Sequence, residues 1–219
     1  MPRESKAAKQ QRALAVAERL CVTYPEAECA LHFSDPFTLV IAVLLSAQTT
    51  DIAVNKVTPE LFRRWPDPAT MAAADPSDVA EVIRSIGFYR VKAAHCVQTA
   101  QTLLSEYGGK VPAEMAALIR LPGVGRKTAN IVLTNAFGIV EGIAVDTHVY
   151  RIAHKLRFST ANSDTPTKVE HDLLAVFPSR LWGEVNHRWV LFGREYCVAR
   201  RPRCAECPLS DLCPSNKLQ

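Results

Sequence analysis

Leu121-Pro122-Gly123-Val124-Gly125-Arg126-Lys127 places a proline and two glycines between two helical stretches, and the fold reads outward from it. Glycine permits backbone conformations and close approaches that a Cβ forbids, so the segment predicts a tight turn. The turn opens directly into a helix marked by Ala129, Val132, Leu133 and Ala136 and stopped by Gly138. Backbone N–H groups in the first turn of a helix lack partners and can donate to an anion such as a phosphate oxygen. Gly123, Val124 and Gly125 are therefore candidates for holding a DNA backbone without reading its sequence. An αα-hairpin with a convenient glycine pair is the alternative.

Helical spacing continues on both sides, and no run alternates apolar and polar residues as a half-buried strand does, so the expected fold class is all-α. Val79, Val82, Ile83 and Ile86 predict a helix opened by Asp75-Pro76 and closed by Gly87. Ala93, Val97, Ala100, Leu104 and Tyr107 trace the next, ended by Gly108-Gly109, and Met115, Leu118 and Ile119 a short one. Later stripes stand at Val149, Ile152, Leu156 and at Val185, Trp189, Phe192, Tyr196. Asp35-Pro36 opens a helix whose Leu39 to Leu45 segment is apolar on every side, which places it in the middle of a bundle. Pro59 is expected to kink or split the helix that follows Asp51.

The 219 residues are 48% hydrophobic and 22% charged, an ordinary globular composition, and the formal charge of +4 is compatible with a polyanionic partner. Basic residues gather at Arg3, Lys6, Lys9 and Arg12, around Arg84, Arg90 and Lys92, at Arg126 and Lys127, and at Arg200, Arg201 and Arg203. No run approaches the roughly twenty apolar residues of a membrane span, and the N-terminus lacks the apolar stretch of a signal peptide. These features predict a protein that stays inside the cell. Four of seven cysteines fall in the last 23 residues, a crowding that in a reducing compartment suggests metal rather than disulfides. Cys197, Cys204, Cys207 and Cys213 are spaced C-x6-C-x2-C-x5-C, compact enough to surround one centre. Four thiolates suit zinc or an iron-sulfur cluster, and spacing alone does not choose. Arg200, Arg201 and Arg203 project from the first loop of this knot, either toward phosphates or as a solvated basic loop.

Two residues carry candidate chemistry. Lys127 sits in the first turn of its helix, where the macrodipole and neighbouring Arg126 both disfavour a cation. A neutral lysine is a nucleophile suited to Schiff-base formation; contact with a phosphate is the other reading. Asp146, in Val145-Asp146-Thr147-His148, occupies an N-cap position. It serves either as a cap alone or as a carboxylate that takes up a proton and stabilises positive charge on a sugar ring.

Assembled, these segments resemble the endonuclease III family, the bifunctional glycosylase/lyase branch of the helix-hairpin-helix glycosylase superfamily. The resemblance rests on Leu44-Leu45-Ser46-Ala47-Gln48-Thr49-Thr50-Asp51, Ile86-Gly87-Phe88-Tyr89, Leu121 through Asn130, Val145 through His148 and the four cysteines, in that order. It implies a two-lobed helical protein with DNA in the cleft between a six-helix barrel and an iron-sulfur lobe. The barrel would span residues 29–140, with the helix-hairpin-helix motif at about 113–137. The other lobe would combine 1–28 with 141–219 and hold a 4Fe-4S cluster in the loop 197–213. It further implies removal of damaged pyrimidines from double-stranded DNA through a Lys127 Schiff base, with Asp146 as catalytic carboxylate, and strand cleavage 3′ to the abasic site by β-elimination. Gln48 matches the residue that fills the gap left by a flipped nucleotide. Phe88 stands where the family often has a leucine wedge; its alternative is a core aromatic, and that of Gln48 a polar helix end. The implied setting is the bacterial cytoplasm at the nucleoid, with the enzyme a monomer.

Two other readings compete. A mismatch adenine glycosylase shares hairpin and cluster but relies on a glutamate in the core helix, where this chain has Ala42, and carries an extra domain for which no room is left after the cysteines. A non-catalytic helix-hairpin-helix DNA-binding protein would have no need of both Lys127 and Asp146.

Overall fold

The computed structural model describes residues 4–216 and contains only helices, turns and loops among them. Arg3 of the N-terminal basic cluster lies outside the described residues. The helices are α1 (Lys6–Thr23), α2 (Pro36–Leu45), α3 (Asp51–Arg64), α4 (Pro68–Ala72), α5 (Pro76–Val82), α6 (Tyr89–Tyr107), α7 (Met115–Leu118), α8 (Arg126–Phe137), α9 (Thr147–Lys155), α10 (Pro166–Val176) and α11 (Trp182–Glu195). None is long and apolar enough to cross a membrane. The chain divides into two compact units, Cys29–Ile139 and the residues up to Glu28 together with those from Val140 onward.

In the unit of Cys29–Ile139, α2 is the core element. Asp35 caps it through a reciprocal pair of bonds with Thr38, Pro36 starts it, and every residue from Phe37 to Leu45 is buried. Each large apolar side chain removed from water there contributes about 1.5–3 kcal/mol, which fixes α2 between α3, α6 and α8. Two expectations are corrected. Pro59 neither splits nor ends α3, which runs unbroken from Asp51 to Arg64. Pro59 lies on the solvent side, where the carbonyl deprived of its donor can be hydrated, while Val54, Val57, Thr58 and Leu61 stay buried. The helix opened by Asp75 stops at Val82 rather than at Gly87. Beyond it Ile83 and Ile86 remain buried, carried by turn bonds such as Ile86 N–H to the Ile83 carbonyl at 3.1 Å.

The second unit is assembled from both ends of the chain. Phe158, Phe177 and Trp189 form its aromatic centre, with Phe158 edge-on to Phe177 at 5.4 Å between ring centroids. The Arg12 guanidinium lies 4.5 Å from the Phe158 ring and donates to the carbonyls of Leu156 and Leu212. Arg12 thus ties α1 to the end of α9 and to the cysteine loop, rather than belonging to an open basic surface. Arg19 does the same through the Pro208 carbonyl at 2.9 Å and an ion pair with Asp211.

Candidate active site

The hairpin forms the predicted turn. Val124 N–H donates to the Leu121 carbonyl at 3.0 Å, and Gly123 adopts φ +75°, a left-handed conformation that a side chain resists. Leu121 and Val124 are buried anchors, whereas Gly123 and Gly125 are exposed. The support comes from α6: Thr99 Oγ1 donates to the Pro122 carbonyl at 2.9 Å, and a Cβ on Gly123 would stand 2.7 Å from His95 Nδ1. Gly125 begins α8 with no side-chain cap, unlike α2, α3, α4, α5, α9 and α10, whose Asp or Thr caps bond their first turns. The start of α8 can therefore bond an oxygen anion supplied from outside.

Lys127 is in this first turn and half-buried. Beside it lies Cys29, close enough to Asp51 and Lys127 to feel both charges; burial is the main cause that pushes its thiol up. Nothing local in the sequence joins positions 29 and 127.

Neither Gln48 nor Phe88 is a core residue. Gln48 is exposed, three residues past the end of α2, at φ 53°. Phe88 is 65% exposed and enters α6 at φ 57°. They are two of the three non-glycine residues with positive φ among the described residues, the other being Arg157. Such strain persists only where surrounding structure over-determines it. Lys92, grouped in the sequence with Arg90 as surface charge, is instead buried and bonds Thr49.

In the second unit Asp146 caps α9. Its Oδ1 accepts from His148 N–H at 2.9 Å and Val149 N–H at 2.8 Å, and Oδ2 has no hydrogen bond among the described residues. Asp146 is thus both cap and half-exposed carboxylate. His148 follows it; burial, ahead of the opposing Asp146 charge, holds its imidazole below the ordinary histidine range. Arg151 on the same helix donates to the carbonyls of Gly193 and Cys197 at 3.1 and 2.9 Å, a link no sequence pattern announced.

The four cysteine side chains line one apolar cavity with Ile152, Tyr196 and Leu209. No group of His, Cys, Asp or Glu among the described residues is close enough to grip a single metal ion. A lone zinc would need sulfurs about 3.8 Å apart, as Zn–S bonds of ~2.3 Å require. Four thiol donors lining one shared cavity suit a polynuclear core. Burial pushes the Cys207 thiol up to about 11 and Cys197 in the same direction, so thiolates there require a cationic centre among them. The donor set therefore fits an iron-sulfur cluster. Arg200 and Arg201 are exposed at its rim, whereas Arg203 pairs with Glu206 and lies 5.6 Å from the Tyr196 ring.

Comparison with known proteins converges on one family. Residues 41–179 match the HhH-GPD superfamily base excision DNA repair protein, and residues 197–213 the iron-sulfur binding domain of endonuclease III. Endonuclease III of Synechocystis sp. is 44% identical, over 95% of this chain and 94% of its own. Endonuclease III of Escherichia coli K12 is also 44% identical, over 91% and 93%. The solved structure of a trapped endonuclease III–DNA covalent intermediate superposes with a TM-score of 0.90 at 41% identity, covering 95% of this chain and 97% of that one. The chain belongs to the endonuclease III family of helix-hairpin-helix base-excision DNA repair proteins.

Proposed function

We propose that Lys127 is the amine nucleophile and Asp146 the essential carboxylate of this repair reaction. Family membership makes the protein a DNA N-glycosylase and abasic-site lyase acting on damaged double-stranded DNA. The residue assignment is supported by one feature in each unit: Lys127 stands in the uncapped first turn of α8, and Asp146 caps α9 through Oδ1 with an Oδ2 that has no hydrogen bond among the described residues.

The chemistry follows from these groups. Neutral Lys127 Nζ attacks C1′ of a damaged pyrimidine nucleotide as the C1′–N bond breaks and its electron pair leaves with the base. Asp146 stabilises positive charge on the sugar and takes up the proton that the attacking amine releases. Ring opening gives a Schiff base, loss of a C2′ proton follows, and elimination of the 3′-phosphate cuts the strand. The covalent endonuclease III–DNA intermediate solved for a relative supports the same linkage here. Gly123 and Gly125 bring their backbone close to the DNA strand, with Val124, whose N–H is held by the Leu121 carbonyl, anchoring the turn between them, and Arg200 and Arg201 add charge for phosphates, with Arg203 the most committed elsewhere. Extruding the nucleotide costs a few kcal/mol of stacking. Gln48 and Phe88, exposed at strained loop positions, offset it by filling the vacated stack. Cys197, Cys204, Cys207 and Cys213 ligate a 4Fe-4S cluster, which when bound supplies a cross-link that orders its loop. The setting we assign is the bacterial cytoplasm, on the nucleoid, with one copy of the chain sufficient.

Borohydride trapping on a duplex with an abasic site tests the core of this reading. Wild-type protein should become cross-linked; Lys127→Ala should bind DNA yet lose nicking by roughly 10³-fold or more. Normal nicking by the purified variant would overturn the assignment. Asp146→Asn should slow base release more than cleavage at a preformed abasic site, and equal losses would reduce Asp146 to a cap.

A further inference from the structure

Gln48 and Phe88 belong to segments forty residues apart in sequence, and one buried cation joins them. Lys92 lies one turn into α6, is only 5% exposed, and its N–H donates to the Phe88 carbonyl at 3.0 Å. Its Nζ donates to Thr49 Oγ1 at 2.6 Å. The Thr49 hydroxyl in turn donates to the Ala47 carbonyl at 3.5 Å, and Thr49 N–H to the Ser46 carbonyl at 3.1 Å. Gln48 is thereby bracketed by Ala47 and Thr49, both held, and the chain of bonds continues to the carbonyl of Phe88.

The choice of residue is unexpected on stability grounds. An ammonium loses hydration when buried, and among the described residues it has a neutral hydroxyl and no carboxylate as partner. A methionine would fill the same space without that penalty, so the charge is better explained by the geometry it enforces than by the stability it adds. Burial accordingly holds the Lys92 amine below the ordinary lysine range.

We propose that Lys92 and Thr49 form a strap that sets the Gln48 and Phe88 segments at a fixed separation, so that both residues enter the duplex as one preset wedge. The proposal rests on the void-filling reading of Gln48 and Phe88 and adds two positioning residues that act through them. A wedge ordered beforehand avoids the entropy of ordering two loops at the moment of extrusion. The strap should therefore matter most when the target is fully stacked and paired.

The test compares excision of one damaged pyrimidine from a fully paired duplex and from the same lesion in an unpaired bubble. Thr49→Val, which keeps the shape and removes the acceptor, should lose about tenfold on duplex and less than about threefold on bubble. Thr49→Ser should restore the wild-type ratio, and Lys92→Met, which leaves no unpaired charge, should repeat the Thr49→Val pattern. On a Phe88→Ala background Thr49→Val should cost little further, because the strap has lost half of what it positions. If Phe88→Ala itself loses equally on both substrates, the wedge reading falls. If Phe88→Ala shows the split but Thr49→Val and Lys92→Met do not, or Thr49→Ser gives no rescue, the strap is overturned and the wedge stands. Should Thr49→Val fail to fold, Lys92→Met carries the same comparison.

Discussion

The two units hold their functional groups by different means. In Cys29–Ile139 the key positions are set by short-range backbone geometry backed by one helix. Gly123 at φ 75° rests on His95 and Thr99, and Phe88 at φ 57° leads into the same α6. The apolar α2 beneath supplies the core in one continuous piece. The other unit also has an apolar core, but it is pieced together from α1, α9, α10, α11 and the cysteine loop rather than supplied by one helix. Polar ties between distant segments add to it: Arg12 to Leu212 and Arg19 to Pro208 join α1 to the cysteine loop, Gln10 to Ala175 joins α1 to α10, and Arg151 to Cys197 joins α9 to the loop. Closing such long loops costs chain entropy that a local turn never incurs, and a metal cross-link offsets it. The first unit should lose a contact and keep its fold; the second should lose order well away from the change.

Removing a cluster ligand should give the largest effect. Cys204→Ser is expected to abolish the broad visible absorbance of a brown iron-sulfur protein and to lower stability by several kcal/mol together with DNA affinity. Hydrogen exchange should rise across residues 140–216 and stay low in 29–139. A uniform rise over both units would break the comparison, as would a colourless wild-type protein containing stoichiometric zinc when purified anaerobically.

Gly123→Ala probes the local mode. The new Cβ would meet His95 Nδ1 at 2.7 Å and force a left-handed alanine, a combined loss of about 2–3 kcal/mol in urea unfolding. Adding His95→Ala should recover the steric part and leave about 1–2 kcal/mol for the backbone alone. No recovery would mean that α6 does not set the hairpin. Arg12→Met keeps the aliphatic stem over Phe158 but gives up the ring contact and two carbonyl bonds. A loss of about 1–3 kcal/mol is expected, with the C-terminal loop loosened first. The smallest change belongs to Arg200→Ala, which should leave stability unaltered and reduce the slope of log affinity against log salt by about 0.9 if the side chain meets one phosphate. An unchanged slope removes Arg200 from the DNA-binding set.

Much of this was legible in the residues themselves. Asp35-Pro36 and Gly138 mark helix ends, Leu39 to Leu45 announces a core helix, the glycine pair announces the hairpin, and the cysteine spacing announces one centre. These signals are local: a helical period, a cap, a positive φ and a chain spacing are properties of a few consecutive residues. The misjudged positions depended on what packs where. Pro59 broke the local rule for helices, yet α3 continues because the flanking Val57, Thr58 and Leu61 are held from outside. Ile83 and Ile86 kept the helical spacing after the helix had ended, since burial needs only that a side chain face the core. Phe88 had a core aromatic as its alternative, and its 65% exposure speaks against that packing role. Lys92 and Arg12 stand in the sequence only as members of basic clusters and are internal ties, one to a threonine 43 residues away and the other to a carbonyl 200 residues away. Sequence alone determined the all-helical class, the core helix, the hairpin and the set of reactive residue types. Whether a charge faces water or joins two segments was decided only by tertiary structure, because desolvation and its compensating bonds arise from partners that no local pattern specifies.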